Sequence, residues 1–355
     1  MITPPSVAKA TAKTLQTLSE QRGYISSSIT DHYFRTHPEC SSADVDKIRR
    51  ICQTDTEHHL DFLHSALRLG MPEIFGNYMA WLKNVLLSRN LDTSHTLEAL
   101  SYMREIMEQL FQGKELAKVR STIDAGIEDF DKTSDLITQL PRPPTGHKLQ
   151  GSEHYTLSLL DGRRNDANQL VSELMQQGKT LSDVSVELMQ PAMYEVGRLW
   201  QTNKITVAQE HLATATTQYI LSKAYAEAEF ANPNNRRAAI ACVEHNYHSL
   251  GARMVSDAFE TQGWDVNYLG ENNSAQILIE TLDLSPVDIL GLSISLQDQV
   301  DTLADTVGLL RSELGSRCPV IAIGGLPLNA IPGLALKFDV DAWFPDARAA
   351  AKDAK

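Results

Sequence analysis

The pattern of apolar and polar residues changes at about residue 236 of the chain. Before this point apolar residues recur three and four positions apart, as in Leu60, Leu63 and Leu67, which is the spacing of one helix face. From 236 to 346, short apolar runs alternate with amphipathic segments, as strands alternate with helices. The pattern predicts a helical amino-terminal part followed by an α/β part.

The helical part divides into two units joined by a proline-rich segment. Residues 1–138 predict a compact all-α domain of globin-like size. Residues 139–152 contain PRPPTGHK and predict a linker, because adjacent prolines cannot continue a helix. Residues 153–232 predict four packed helices, a four-helix bundle interrupted at Gly162 and Gly178.

Residues 236–346 predict a five-stranded doubly wound parallel sheet of the Rossmann or flavodoxin-like type. We expect the strand order 2-1-3-4-5, with the switch point between strands 1 and 3. The predicted strands are 238–243, 265–269, 288–295, 320–324 and 342–344, with helices starting at Ala252, Ser274, Gln299 and Ala330. Residues 347–355 predict a short polar tail.

Polar residues follow the first predicted strand at the edge where such sheets bind ligands. Asn246, His248 and Gly251 leave strand 1. A neutral imidazole binds metals, an amide oxygen could accept from its second nitrogen, and a glycine lets the backbone approach a ligand. The alternative is an ordinary surface histidine on a loop.

Composition excludes several classes of function. The 355 residues carry a formal net charge of -13, which repels phosphate backbones and argues against direct nucleic-acid binding. No apolar run approaches the roughly 20 residues of a membrane helix, and the first residues lack the apolar centre of a secretory signal, so we expect a cytoplasmic protein without membrane contact. The four cysteines form no C-x-x-C pair, which argues against a disulfide framework or zinc knuckle.

The spacing Asn246-x-His248-x-x-Gly251 resembles the Asp/Glu-x-His-x-x-Gly motif of the cobalamin-binding domain family. The resemblance implies that His248 is the lower axial ligand of cobalt, in place of the cofactor's own dimethylbenzimidazole. Asparagine in the first position implies a weaker cobalt–histidine bond. The remaining matches, which hold the nucleotide tail in the family, are Ser293, Ser295, Gly324 and Gly325.

A second motif lies in the four-helix unit, where Trp200 is followed after nine residues by Glu210 and His211. This spacing is similar to that of the helical cap of light-responsive cobalamin proteins, in which the three side chains enclose an adenosyl group above the corrin. Gln201 stands where the repressor branch has a second cobalt-binding histidine. The alternative is a buried tryptophan beside a salt-bridging glutamate.

The segment EHHLDFLHSALRLGMPEIFGNYMAWL in the first unit resembles the helical sensor domain of photocobilins, which bind biliverdin beside cobalamin. The resemblance implies a biliverdin site lined by His59, Tyr78 and Trp81. Non-covalent binding is favoured over attachment to Cys40 or Cys52. Ordinary core packing is the alternative for each of these side chains.

Together the resemblances imply a sensory, non-enzymatic light receptor. Such a protein holds adenosylcobalamin base-off with histidine on, carries biliverdin as second chromophore, and changes conformation or self-association when light breaks the cobalt–carbon bond, with a downstream signalling protein as partner. Two alternatives stay open. One is a corrinoid methyl carrier of a methyltransferase system, and the other is a cobalamin-gated antirepressor that binds a transcription factor.

Overall fold

The computed structural model describes residues 9–38, 44–133, 149 and 151–353. The chain separates into two compact units, 1–138 and 139–355. Cys40, considered above for bilin attachment, lies outside the described residues, as does most of the predicted linker. None of the described helices has both the length and the apolar character that crossing a bilayer requires.

The described part of the first unit is all-α, as predicted. Its helices are α1 (Ala12–Glu20), α2 (Arg22–Thr36), α3 (Val45–Leu69), α4 (Pro72–Ser88), α5 (Ser94–Leu110) and α6 (Gly113–Lys132). The α3 helix ends at Gly70, whose φ of 63° is left-handed, and Pro72 starts α4. The α4 and α6 helices approach closely, because a Cβ atom at Gly126 would overlap the ring of Phe75.

The second unit begins with a helical lid, residues 152–226, that has the predicted four-helix arrangement. Its helices are α7 (Ser152–Leu160), α8 (Arg164–Gln176), α9 (Leu181–Val184), α10 (Gln190–Gln201) and α11 (Val207–Ala226). A π-helical turn, Ser185–Met189, joins α9 to α10, so that 181–201 form one interrupted helix. The turn ends two residues before Pro191, which lacks the N–H that a regular helix needs.

The predicted sheet is confirmed, including its strand order. The strands are β1 (Arg237–Val243), β2 (Asp265–Asn273), β3 (Ile289–Ser293), β4 (Val320–Gly324) and β5 (Ala342–Trp343), all parallel, in the order β2-β1-β3-β4-β5. The accompanying helices are α12 (Leu250–Thr261), α13 (Ala275–Leu284), α14 (Val300–Leu314), α15 (Leu326–Ala330) and α16 (Ala347–Asp353). Every residue of β1 from Ala238 onward is buried, as expected for a central strand.

Two details of the α/β part differ from the prediction. The helix expected to start at Ala330 instead ends there, because Pro332 disfavours a helical conformation at Ile331, whose φ and ψ are -106° and 106°. The segment assigned to a tail, 347–355, contains α16. Three of its alanines are buried, with Ala347 and Ala351 in the apolar core of the lid and Ala350 in the core of the sheet.

The α16 helix also makes an ion-pair contact with the lid. The guanidinium Nη1 of Arg348 lies 3.3 Å from Asp183 and 2.7 Å from Glu187. Asp183 belongs to α9 and Glu187 to the π-helical turn. The lid is therefore anchored to the α/β part at the start of its interrupted helix.

Candidate functional site

A buried asparagine shapes the loop between β1 and α12. Asn246 is fully buried, and its Oδ1 accepts a hydrogen bond from the backbone N–H of His248 at 3.1 Å. Its Nδ2 donates to the carbonyl oxygen of Ser293 at 2.9 Å. The side chain thereby joins the carboxyl ends of two neighbouring strands across the switch point.

A second set of hydrogen bonds holds the same loop from the segment that follows β3. The Ser295 hydroxyl donates to the carbonyl oxygen of His248 at 3.2 Å. Gln299, which is 3 % exposed, accepts from the backbone of Ser295 at 2.8 Å and donates to the carbonyl of His245 at 3.4 Å. Gln299 was not identified as a site residue from the sequence, because its role depends on contacts that only the folded loops create.

The His248 ring is exposed and has no hydrogen-bond partner within the described part of the chain. The sequence-based interpretation of Asn246 therefore needs correction: its oxygen accepts from the backbone of His248 and not from the imidazole. The loop fixes where the backbone of His248 lies and leaves its ring nitrogens available. An imidazole in this state can coordinate a metal ion.

The glycines near the loop differ in whether the fold itself requires glycine at that position. Gly325 has a φ of 126°, and a Cβ there would overlap the carbonyl oxygen of Ile294, so the sheet itself requires it. A Cβ at Gly324 would lie 3.2 Å from the carbonyl oxygen of Phe344. Gly251 lies in α12, and a Cβ there would meet no atom within 4 Å. The fold gives no reason for glycine at 251, which fits a ligand that approaches this helix closely.

The lid presents the second motif at the end of α10 and the start of α11. Trp200 is 37 % exposed, so it is not a buried core tryptophan. Thr206 and Gln209 form a reciprocal capping box that starts α11 and places Glu210 and His211 in its first turns. Glu210 accepts from the Thr214 hydroxyl at 2.9 Å.

Glu210 and His211, the acidic and the basic residue of this motif, differ in exposure. The His211 side chain is 74 % exposed, and its Nε2 lies 3.5 Å from a Glu210 carboxylate oxygen.

A further glycine near the motif was not identified from the sequence. Gly197 lies in the interior of α10, one turn before Trp200, and a Cβ there would meet nothing within 4 Å. The sequence could have indicated this position, because Gly197 lies inside a helical pattern, where glycine costs about 1 kcal/mol relative to alanine.

Arg253 links the lid to the sheet beside this region. Its guanidinium lies 5.5 Å from the ring centroid of Tyr225 on α11 and 5.6 Å from that of Tyr268 on β2. Its Nε contacts Asp257 Oδ1 at 2.6 Å, while Asp257 Oδ2 is buried without a hydrogen bond. Burial raises the pKa of Asp257 to about 6, and the neighbouring Arg253 opposes this rise.

In the first unit, the structure brings together the three residues assigned to a bilin site. His59 and Tyr78 are each 5 % exposed, and His59 Nδ1 lies 2.8 Å from the Tyr78 hydroxyl. Burial lowers the pKa of His59 to about 4 and raises that of Tyr78, so both are neutral near pH 7 and form a neutral hydrogen bond. Phe62 stacks on Tyr78 at 3.8 Å between ring centroids, and Trp81 lies 6.0 Å from it.

Comparison with known families gives two matches, both described as B12 binding domains. One covers residues 152–224, which is the lid, and the other covers residues 236–354, which is the sheet with its helices. The Asn246 loop and the Trp200 motif thus each lie within a matched domain.

Two relatives are transcriptional repressors of Myxococcus xanthus. The HTH-type transcriptional repressor CarH is 27% identical over 134 residues, which are 38% of this chain and 44% of the repressor. The HTH-type transcriptional repressor CarA is 24% identical over 174 residues, which are 48% of this chain and 56% of the repressor. The chain therefore spans about half the length of these relatives.

Among solved structures, the monomethylamine corrinoid protein of Methanosarcina barkeri is similar with a TM-score of 0.49 and 19% identity, over 58% of this chain and 98% of that protein.

Proposed function

Because the chain is a cobalamin-binding protein, with B12-binding domains at residues 152–224 and 236–354, we propose that it is a non-enzymatic light receptor that uses adenosylcobalamin. The observation that carries the proposal is the pairing, in one folded unit, of an unpartnered loop histidine with a lid that exposes a tryptophan. A metal-centred ring needs a ligand on one face, and a light-sensitive group on the other face needs a cover.

The proposed lower ligand is His248. Its backbone N–H donates to Asn246 and its carbonyl oxygen accepts from Ser295, which holds the backbone at the switch point. Ligand binding therefore costs little further loss of backbone freedom. Gly251 leaves room for the ring system beside α12. Ser293 and Ser295 border the same crevice, where β4 ends at Gly324 and is followed by Gly325, and we assign this region to the nucleotide tail.

The proposed upper cover consists of Trp200, Glu210 and His211. When bound, adenosylcobalamin supplies a cobalt–carbon bond that light breaks. The indole of Trp200 offers a flat apolar surface to an adenine, and the carboxylate of Glu210 can accept hydrogen bonds from hydroxyl or amino groups. Gln201 replaces the second histidine of the repressor branch, so that role would fall to His211 as the remaining histidine of this set.

The lid also supports the proposed self-association. Three large apolar side chains of α11 are exposed: Val207 at 52%, Leu212 at 40% and Tyr219 at 52%. A lid that shifts when its pocket empties changes which of these side chains face solvent, which makes lid position a two-state element controlled by the ligand. A homo-oligomer or a downstream signalling protein can then detect the shift.

The central test is made on the full chain loaded in the dark with adenosylcobalamin. We expect green light to change both the absorption spectrum and the oligomeric state measured by light scattering. Identical spectra and mass before and after illumination would reject the receptor proposal. Tighter retention of methylcobalamin than of adenosylcobalamin would instead favour the methyl carrier, and capture of a transcription factor only in one light condition would favour the antirepressor.

The axial assignment has a matched control on the same loop. His248→Ala should lose the base-off, histidine-ligated spectrum, whereas His245→Asn should keep it. Asparagine is the suitable replacement at 245 because φ there is 63°, a conformation that asparagine tolerates well. An unchanged spectrum in His248→Ala would remove His248 from the cobalt site.

We propose biliverdin as a second chromophore of the first unit, near His59, Tyr78 and Trp81. The support is the stack of aromatic rings at Tyr78, since a flat tetrapyrrole packs well against such surfaces. Protein produced with both pigments should show a far-red band beside the corrin bands. Trp81→Ala should weaken that band, and Trp343→Ala, on β5 of the other unit, should not; a spectrum with corrin bands alone would exclude biliverdin.

A further inference from the structure

We propose that the first unit contains a binding site for a divalent transition-metal ion, best fitted by zinc, formed by His37, His95 and Glu98. His37 is the residue at which α2 ends, and the other two lie one turn apart at the start of α5. One ligand atom from each of the three side chains lies within 4.8 Å of the others. The site is independent of the cobalamin proposal.

The distance between two of the three ligand atoms fits tetrahedral coordination. Zinc bonds of about 2.0–2.2 Å at tetrahedral angles separate neighbouring ligand atoms by roughly 3.3–3.6 Å. His37 Nε2 lies 3.5 Å from Glu98 Oε2. The two atoms are already about one tetrahedral edge apart, so an ion needs little rearrangement of this pair.

Hydrogen bonds already select the coordinating atom of two ligands. His37 Nδ1 lies 3.2 Å from the carbonyl oxygen of Tyr33, which keeps the proton on Nδ1 and leaves the lone pair on Nε2. Glu98 Oε1 accepts from the Thr36 hydroxyl at 2.8 Å and lies 3.4 Å from His32 Nε2. Oε1 is therefore occupied, and Oε2 is the oxygen that faces His37.

His95, the third proposed ligand, provides an independent observation in favour of a bound ion. His95 Nδ1 is buried and has no hydrogen-bond partner in the described residues. Its other nitrogen, Nε2, lies 3.6 Å from Asp92 Oδ2, on the opposite side of the ring. A buried ring nitrogen without a partner costs stability, and a metal ion on Nδ1 with Asp92 near Nε2 reproduces the usual carboxylate–histidine–metal arrangement.

Three protein ligands leave a fourth position for water or another ligand. The side chains of His37, Glu98 and His95 are 21%, 31% and 39% exposed, so an ion can enter from solvent. A neutral imidazole pair with one carboxylate is a donor set that zinc accepts, and it disfavours magnesium and calcium, which prefer oxygen ligands. The expected effect is a bridge from the end of α2 to the start of α5.

The test uses the full chain after treatment with a chelator, titrated with zinc in competition with a chromogenic zinc chelator. We expect one ion per chain in the wild type. Glu98→Gln and His95→Ala should each weaken zinc affinity by more than the about 10- to 100-fold that loss of an outer hydrogen-bond partner costs, and Thr36→Val should fall within that range. His58→Ala, which removes an exposed histidine of α3 in the same unit, should bind like the wild type.

Thermal unfolding gives a second readout. Zinc should raise the melting temperature of the wild type and of His58→Ala, and should leave Glu98→Gln unchanged, with all three folded equally in chelator. Equal zinc affinity in Glu98→Gln, His95→Ala and His58→Ala would overturn the proposal. The absence of any wild-type binding would overturn it as well.

Discussion

The side-chain amide of Asn246 donates a hydrogen bond to the carbonyl oxygen of Ser293 at 2.9 Å, and so joins the ends of β1 and β3 beneath the His248 loop. The related motif has a carboxylate in this position. A carboxylate has no proton to donate to a carbonyl, so the asparagine is suited to this loop for a reason separate from the imidazole.

Asn246→Asp should lower the free energy of unfolding by about 1–3 kcal/mol, because a buried donor is lost and an acceptor faces the Ser293 carbonyl. It should also weaken cobalamin binding through the displaced His248 backbone. Urea unfolding and cofactor titration measure the two effects. Asn272→Asp is the matched control, since Asn272 Oδ1 only accepts from the backbone of His245, which a carboxylate also does. Equal losses in both variants would contradict the role of the Nδ2 donor.

Gly251→Leu should leave the cofactor-free protein as stable as the wild type, since a Cβ at 251 meets nothing within 4 Å. It should nevertheless reduce cobalamin affinity by at least about tenfold, because the new side chain fills space that the ligand needs. Gly308→Leu in α14 places the same side chain on another open helical glycine and should bind normally. Normal binding by Gly251→Leu would show that no ligand approaches α12 at this point.

Asp257 should make stability depend on pH. Its pKa is about 6 in the folded chain against 3.8 in the reference, so the native state holds this proton more tightly. The contribution is fully present below about pH 4 and is lost as the pH rises through about 6, with a total of about 1–3 kcal/mol. The unfolding free energy of the wild type relative to Asp257→Asn should fall across this window. Asp339→Asn, at a position whose carboxylate is 88% exposed, serves as control; a flat difference for Asp257→Asn would exclude the shift.

Arg348→Gln should loosen the anchor between α16 and the lid. Loss of the contacts with Asp183 and Glu187 should cost about 0.5–1 kcal/mol, since the guanidinium is partly exposed. Amide hydrogen exchange of 181–189 should accelerate, while the strands should keep their protection. Arg317→Gln, which breaks an exposed ion pair with Asp283 on the sheet side, should leave exchange in 181–189 unchanged. Equal acceleration by both variants would contradict a local anchor.

The sequence predicted the sheet order and the lid because both follow from repeated local signals. Apolar runs bounded by turn residues identify β1, β3 and β4 separately, and helical periodicity identifies the lid. The position of His248 at the switch point followed from chain order alone. These features need no knowledge of which side chains meet.

Features that depend on long-range contacts were harder to predict from the sequence. Gln299 acts on a loop 54 residues earlier in the chain, through its bond to the His245 carbonyl. The partner of the Asn246 amide, the Ser293 carbonyl, could not be predicted, because it is reached only when β3 lies beside β1 in the folded sheet. The sequence of α16 predicts a polar tail because its buried residues are alanines, which do not form a strong apolar pattern. Their burial follows from close packing on α12.

The interrupted helix of the lid has a mechanical consequence. It is clamped by Arg348 near Val184, and Trp200 lies sixteen residues further along, about 24 Å away at the rise of a helix. A pivot of only about 10° at the clamped end sweeps the indole through roughly 4 Å. The geometry works as a lever, in which a slight tilt where the helix is held becomes a displacement of atomic size where it ends.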